Sequence, residues 1–160
     1  MSLPQGWCSD AEANELQRLA TGKTVLELGA WKGRSTVVLA QVATYVVSVD
    51  RHHGIEEAGG EDSLPDYLDA VRRLPNVAVV VASFDRFCPL LREEFDLVYV
   101  DGNHDEESVF DDCELAIDCV KDEGMIVFHY WDFETVRQGV RRCLGDEPGS
   151  LVGSVAAFLL

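Results

Sequence analysis

Lysine is nearly missing from this chain. Lys23, Lys32 and Lys121 are the only three, and with ten arginines they stand against 29 carboxylates, for a formal net charge of −16. A field of that sign repels polyanions, so no nucleic-acid or anionic-membrane partner is expected, short of a local basic face. It points instead to a small or neutral substrate. Long apolar runs are missing too: nothing approaches the roughly 18 residues that a bilayer-crossing helix needs. The first residues, Met1 to Gly6, lack the basic and apolar parts of a secretory leader, so a cytoplasmic protein is expected. The five cysteines (Cys8, Cys88, Cys113, Cys119, Cys143) are odd in number and contain no C-x-x-C pair. That excludes a zinc knuckle or a disulfide framework and leaves free, mostly buried thiols. With only five prolines, 47% hydrophobic residues and no low-complexity tract, disorder is excluded as well.

What is present is an alternation. Thr24–Leu28, Tyr45–Val49, Val77–Val81, Asp96–Val100 and Gly124–Phe128 are near-continuous apolar runs of strand length, the pattern of parallel strands covered on both faces. Helical spacing separates them: Arg34–Ala40, Pro65–Leu74 and Ser108–Val120, with a further helix over Asp132–Leu144. Ser9 and Glu12 form a capping box that opens a helix near residues 10–20. Val152–Leu160 reads as one terminal strand. The expected fold is one α/β domain over residues 1–160: a Rossmann-like, doubly wound, mostly parallel sheet with helices on both faces and an antiparallel C-terminal strand. Ligands of such sheets sit beyond the carboxyl ends of the strands. This selects Gly29, Asp50, Ala82–Phe84, Asp101 and His129 before any motif is considered.

The first of these loops reads Glu27-Leu28-Gly29-Ala30-Trp31-Lys32-Gly33-Arg34-Ser35. A dinucleotide fingerprint, G-x-G-x-x-G, would need glycine where Trp31 and Arg34 stand, so a NAD-dependent oxidoreductase is disfavoured. Glycines at 29 and 33 alone still bend the chain sharply and leave room for a ligand without phosphates. Asp50 lies 23 residues beyond Glu27, at the end of the second strand, where a carboxylate can accept hydrogen bonds from both hydroxyls of a ribose. Such a reading requires that Asp50 face the hollow and that Trp31 leave it open.

Taken with Val100-Asp101-Gly102-Asn103-His104 and Ile126-Val127-Phe128-His129, this loop resembles those of S-adenosylmethionine-dependent methyltransferases. More narrowly, it is similar to the branch of antibiotic-sugar O-methyltransferases and cephalosporin-hydroxylase-like proteins (methyltransferase family 24). The resemblance implies S-adenosylmethionine as cofactor, bordered at its methionine end by Glu27, Gly29, Ala30 and Gly33, with Ser35 supporting the loop. It places Asp50 and Arg51 at the ribose and Ser83, Phe84 and Asp85 at the adenine, and it allows a homodimer.

Asp101 and His104 then stand where a methyl group would be transferred. A displacement at carbon needs an aligned nucleophile relieved of its proton, and an imidazole suits that role, so His104 is the expected base. Asp101 is left three roles: orienting that imidazole, binding a metal, or contacting the cofactor. His129 faces the same crevice. Related metal-dependent enzymes carry an acidic pair after the fifth strand, where this chain has His129-Tyr130-Trp131-Asp132. A magnesium site is therefore not expected, and Asp101, His129 and Asp132 are the residues that could form a softer one. Tyr130 and Trp131 read as structural, and His52 and His53 as solvated loop residues. The rival function is a binding domain of the same fold that has lost transfer chemistry.

Overall fold

The computed structural model describes residues 3–54, 60–92, 94–145 and 147–160. In chain order the elements are α1 (Asp10–Ala20), β1 (Thr24–Leu28), α2 (Arg34–Ala40), β2 (Tyr45–Asp50), α3 (Leu64–Val71), β3 (Val77–Val81) and α4 (Phe84–Phe87), the last running into a 3-10 turn at Cys88–Leu90. There follow β4 (Phe95–Val100), α5 (Glu106–Cys119), β5 (Val120–Phe128), α6 (Glu134–Leu144), β6 (Ser150–Val152) and β7 (Val155–Leu159). The seven strands form one sheet in the order β3-β2-β1-β4-β5-β7-β6. The first five are parallel, and β7 joins β5 antiparallel. The order reverses between β1 and β4, and that switch point opens the crevice in which the loops gather.

Strand parity decides which side chain meets which helix. Val25, Leu97, Tyr99 and Val127 bury with Leu16 and Leu19 of α1 and Val38 and Leu39 of α2. Leu26, Leu28, Val98, Val100 and Phe128 bury against Val109, Cys113, Val136 and Val140 of α5 and α6. Each fully buried aliphatic chain contributes about 1.5–3 kcal/mol, and two such layers clamp the strand ends that carry the site. The free thiols fit this picture: Cys8, Cys88, Cys113 and Cys119 are buried and Cys143 is half-buried.

The Ser9–Glu12 capping box forms as the sequence requires. Several expected bounds shift; β5, for one, begins at Val120 rather than Gly124, and α3 ends at Val71. The terminal segment is a hairpin rather than one strand, because Gly153 at φ +60° turns the chain between β6 and β7. The α5 helix starts at Glu106, where Asp105 caps it by accepting from the Ser108 N–H. Asp132 and Phe133 lie in the turn before α6 rather than within it.

Candidate active site

The site is built around one glycine. Gly29 leaves β1 at φ +96°, and a Cβ placed there would strike the backbone carbonyl of Asp101. The Gly29 N–H donates to the Val49 carbonyl at 2.9 Å, and the Asp101 N–H donates to the Leu28 carbonyl at 2.8 Å. The ends of β1, β2 and β4 are thereby knitted at van der Waals distance, which only a residue without a side chain permits. Gly33, at φ +86°, then turns the loop into α2. Asp50 fixes the loop from the opposite side. Its Oδ2 accepts from the Ala30 and Trp31 N–H groups, both at 2.8 Å, while its Oδ1 accepts from the His52 N–H at 2.7 Å. Asp50 borders both hollows above this loop, and its carboxylate holds the glycine loop in shape.

Two connected hollows lie over this loop. The larger, about 510 Å³, runs from Asp50, Arg51 and His52 past Ser83, Phe84 and Asp85 to Asp111 and Asp112 on α5. The smaller, about 190 Å³, lies between Ala30, Ser35 and Arg34 on one side and His104 and Tyr130 on the other, under the chain segment Gln5–Cys8. Gly29, Trp31, Asp50, Asp101 and Gly102 border both. Trp31 forms part of the shared wall and leaves both hollows open. Its ring stacks on Trp7 at 6.1 Å between centroids, and its indole N–H donates to Glu61 at 3.3 Å.

Of the residues expected from sequence, Gly29, Ala30, Ser35, Asp50, Arg51, Ser83, Phe84, Asp85, Asp101 and His104 border these hollows. Gly33 lies behind them as the cap of α2. Glu27 does not reach them. It is fully buried on the α1/α2 face of the sheet, its Oε2 accepting from Thr36 Oγ1 at 2.5 Å and Ser48 Oγ at 2.6 Å. Its Oε1 has no partner among the described residues. Burial pushes this carboxyl up to about 7. His129 is buried as well, 3.1 Å from Asp101 through Nδ1, and borders neither hollow. Asp132 is exposed. Asp101, His129 and Asp132 therefore do not converge, and no group of three metal-ligating side chains gathers among the described residues.

His104 borders the smaller hollow, its ring 4.1 Å from that of Tyr130 and edge-on to Phe133 at 5.5 Å. Burial lowers its pKa against the opposing pull of Asp101, so the imidazole is neutral and able to accept a proton at pH 7. Tyr130, read from sequence as structural, is part of this wall, whereas Trp131 is buried in the core. His52 is not solvated: it is 3% exposed, stacked on Tyr67 at 4.6 Å, with Nδ1 3.1 Å from Ser63 Oγ. His53 is exposed.

Sequence reading passed over the roof and the far wall. Arg34 holds the N-terminal segment over the small hollow by donating to the carbonyls of Cys8 at 2.7 Å and Pro4 at 3.2 Å. Asp112 stands on the far wall of the larger hollow. Burial, followed by the charge of Asp111, raises its pKa to about 7. A signal for it existed: Ser108, Asp111, Asp112 and Leu115 are spaced i, i+3, i+4, i+7, one face of a helix.

Comparison with known proteins agrees with this geometry. The profile of a methyltransferase-domain family matches residues 26–131, and the chain belongs to that family. A search of curated protein sequences finds no match. Among solved structures, cofactor-bound Rv0187 from MTB aligns at TM-score 0.70 and 23% identity over 99% of this chain and 83% of its own. An O-methyltransferase from Bacillus cereus in complex with SAH aligns at 0.64 and 20% over 89% and 71%. Phosphoethanolamine N-methyltransferase 1 of Haemonchus contortus aligns at 0.55 and 21% over 72% of this chain, which spans only 25% of that enzyme. At such identities the likeness is one of fold: a methyltransferase domain of the Rossmann-like type.

Proposed function

We propose that this domain transfers a methyl group from S-adenosylmethionine to a hydroxyl of a small acceptor. The observation that carries the reading is the pair of hollows meeting at Gly29, Asp50 and Asp101, one long enough for an adenosyl group and the other roofed and compact. The donor set fits the cofactor. Six carboxylates and a single arginine, Arg51, border the larger hollow, which favours a ligand carrying sulfonium and ammonium charge over one carrying a pyrophosphate. Bound there, S-adenosylmethionine would supply an electrophilic methyl carbon on cationic sulfur.

The chain's own residues do the rest. Asp50 holds the glycine loop and meets the ribose, and Phe84 and Ser83 border the adenine. His104, neutral and facing the smaller hollow, accepts the hydroxyl proton as the oxygen–carbon bond forms and the carbon–sulfur bond breaks, then releases that proton to solvent. The small hollow sets the rings of Trp7, Trp31 and Tyr130 among charges of both signs, Arg34 against Asp50 and Asp101, which favours an acceptor without net charge.

Calorimetry with S-adenosylhomocysteine, followed by a panel of hydroxylated small molecules with labelled S-adenosylmethionine, tests this. Asp50→Ala is expected to weaken S-adenosylhomocysteine binding by about tenfold or more, or roughly 1.4 kcal/mol. His104→Ala is expected to lower turnover by about 10²-fold or more with cofactor affinity nearly unchanged. Absence of S-adenosylhomocysteine binding, or tight NAD binding, overturns the proposal. Binding without transfer to any acceptor would favour the non-catalytic domain.

A further inference from the structure

His129 and Glu12 are buried groups close to Asp101 that the reaction above does not use. The imidazole is side-on to Tyr130 at 4.2 Å, and its side chain is 1% exposed. Its Nδ1 lies 3.1 Å from Asp101 Oδ2, and its Nε2 lies 3.9 Å from Glu12 Oε1. The same Asp101 oxygen accepts from the Tyr99 hydroxyl at 3.2 Å. Glu12 is itself held rigidly. Its Oε2 accepts from Ser9 N and Oγ at 2.8 and 2.7 Å, and its Oε1 from Ser154 N and Oγ, both at 2.7 Å. It therefore ties the start of α1 to the turn of the terminal hairpin and places a fixed negative charge beside a buried ring.

The arrangement resolves what Asp101 can do. Its Oδ2 is saturated from within the protein, whereas Oδ1 has no hydrogen-bond partner among the described residues and belongs to a residue that borders both hollows. We propose that Glu12 and His129 are positioning residues: the imidazole, bonded to Asp101, flanked by the fixed charge of Glu12 and packed at a tilt against Tyr130, locks Asp101 so that one oxygen alone is offered to the positively charged end of S-adenosylmethionine. The inference rests on the cofactor reading given above. It also accounts for the histidine at the end of β5, a position from which its ring occupies the space between two carboxylates with an internal donor.

Burial alone would lower the His129 pKa, but the hydrogen bond and charge of Asp101, joined by Glu12 and Asp132, raise it. Cys8 adds no charge here, since burial pushes its thiol up to about 12. Tyr99 and Tyr130 are likewise held in their neutral forms by burial.

The test compares His129→Leu, which removes the donor, with His129→Asn, whose amide N–H₂ can stand where Nδ1 does. S-Adenosylmethionine affinity is measured by calorimetry and the ring nitrogens by ¹⁵N NMR. His129→Leu and Asp101→Asn are each expected to weaken S-adenosylmethionine binding by about tenfold, as for one charge-assisted hydrogen bond. His129→Asn is expected to restore affinity to near the wild-type value. The wild-type His129 resonances should shift in Asp101→Asn and, to a smaller extent, in Glu12→Gln. Equal affinity for the wild type and both His129 variants overturns the proposal. So do His129 resonances indifferent to Asp101→Asn, a measurement that stands even if His129→Leu fails to fold. Failure of the wild type to bind S-adenosylmethionine while the resonances shift as expected would instead remove the cofactor reading.

Discussion

The two hollows of the site are built in different ways. The larger is made of strand ends and the loops just beyond them, so its position follows from the order of the sheet. The smaller owes its existence to a segment, Gln5–Cys8, that precedes every strand and is held in place from α2 by one arginine. On the proposed reading, topology places the cofactor and a tertiary contact shapes the space for the acceptor beside it. A fold shared at 20–23% identity with other structures can keep the first and vary the second.

The comparison can be broken most completely at the residue common to both halves. Gly29→Ala must accommodate a methyl group against the Asp101 carbonyl at φ +96°, and is expected to cost about 3 kcal/mol or more, read as a fall in melting temperature with loss of S-adenosylhomocysteine binding. A normal melting curve would show that the two halves are not pinned there.

Next in size is an effect buried behind both hollows, on the α1/α2 face of the sheet. Glu27 has its carboxyl raised from 4.5 to about 7 in the folded protein, so the folded state holds more protons than the unfolded chain between these values. Stability is therefore lost as pH rises through that window and is not regained above it. Glu27→Gln is expected to remove that loss, on the order of 2–3 kcal/mol, so that the variant gains on the wild type between pH 5 and pH 8 in denaturant melts. The opposite slope comes from Glu12, whose hydrogen bonds from Ser154 and Ser9 outweigh its burial and hold it at about 2. Its contribution is full above 4.5 and disappears on acidification toward 2. A Glu27→Gln variant with the wild-type pH dependence would count against the raised carboxyl.

Trp7→Ala should give the smallest change in stability and the most selective change in function. The ring is 73% exposed, so its removal is expected to cost under about 1 kcal/mol in melting experiments. S-Adenosylhomocysteine affinity should stay put while the KM for the acceptor rises. An equal effect on both ligands would erase the distinction between the hollows.

The contrast also explains what could be read from the sequence. Near-continuous apolar strands, a two-glycine loop and an acid after the second strand specify the larger hollow, because each is local in the chain and its meaning is set by the parallel sheet. The resemblance puts Glu27 at the cofactor, whereas strand parity turns its side chain to the other face: Leu26 and Leu28 face α5, so the residue between them faces α2. The terminal hairpin was legible in Gly153-Ser154, a two-residue turn between apolar runs. The roof of the smaller hollow was not. Gln5, Trp7 and Cys8 carry no periodicity, and nothing local states that Arg34 reaches back to Pro4 and Cys8. Tyr130 owes its place to a φ of +56°, which no tyrosine advertises.

Arg34 grips main-chain oxygens at Pro4 and Cys8 rather than any side chain. Gly6, whose missing Cβ makes room for the arginine stem, and Cys8, buried in the core, are fixed, but the exposed Gln5 and Trp7 can change their side chains and leave the segment on the same perch. On the proposed reading, replacing Gln5 and Trp7 is expected to change which acceptors the smaller hollow takes while the melting temperature stays near the wild-type value.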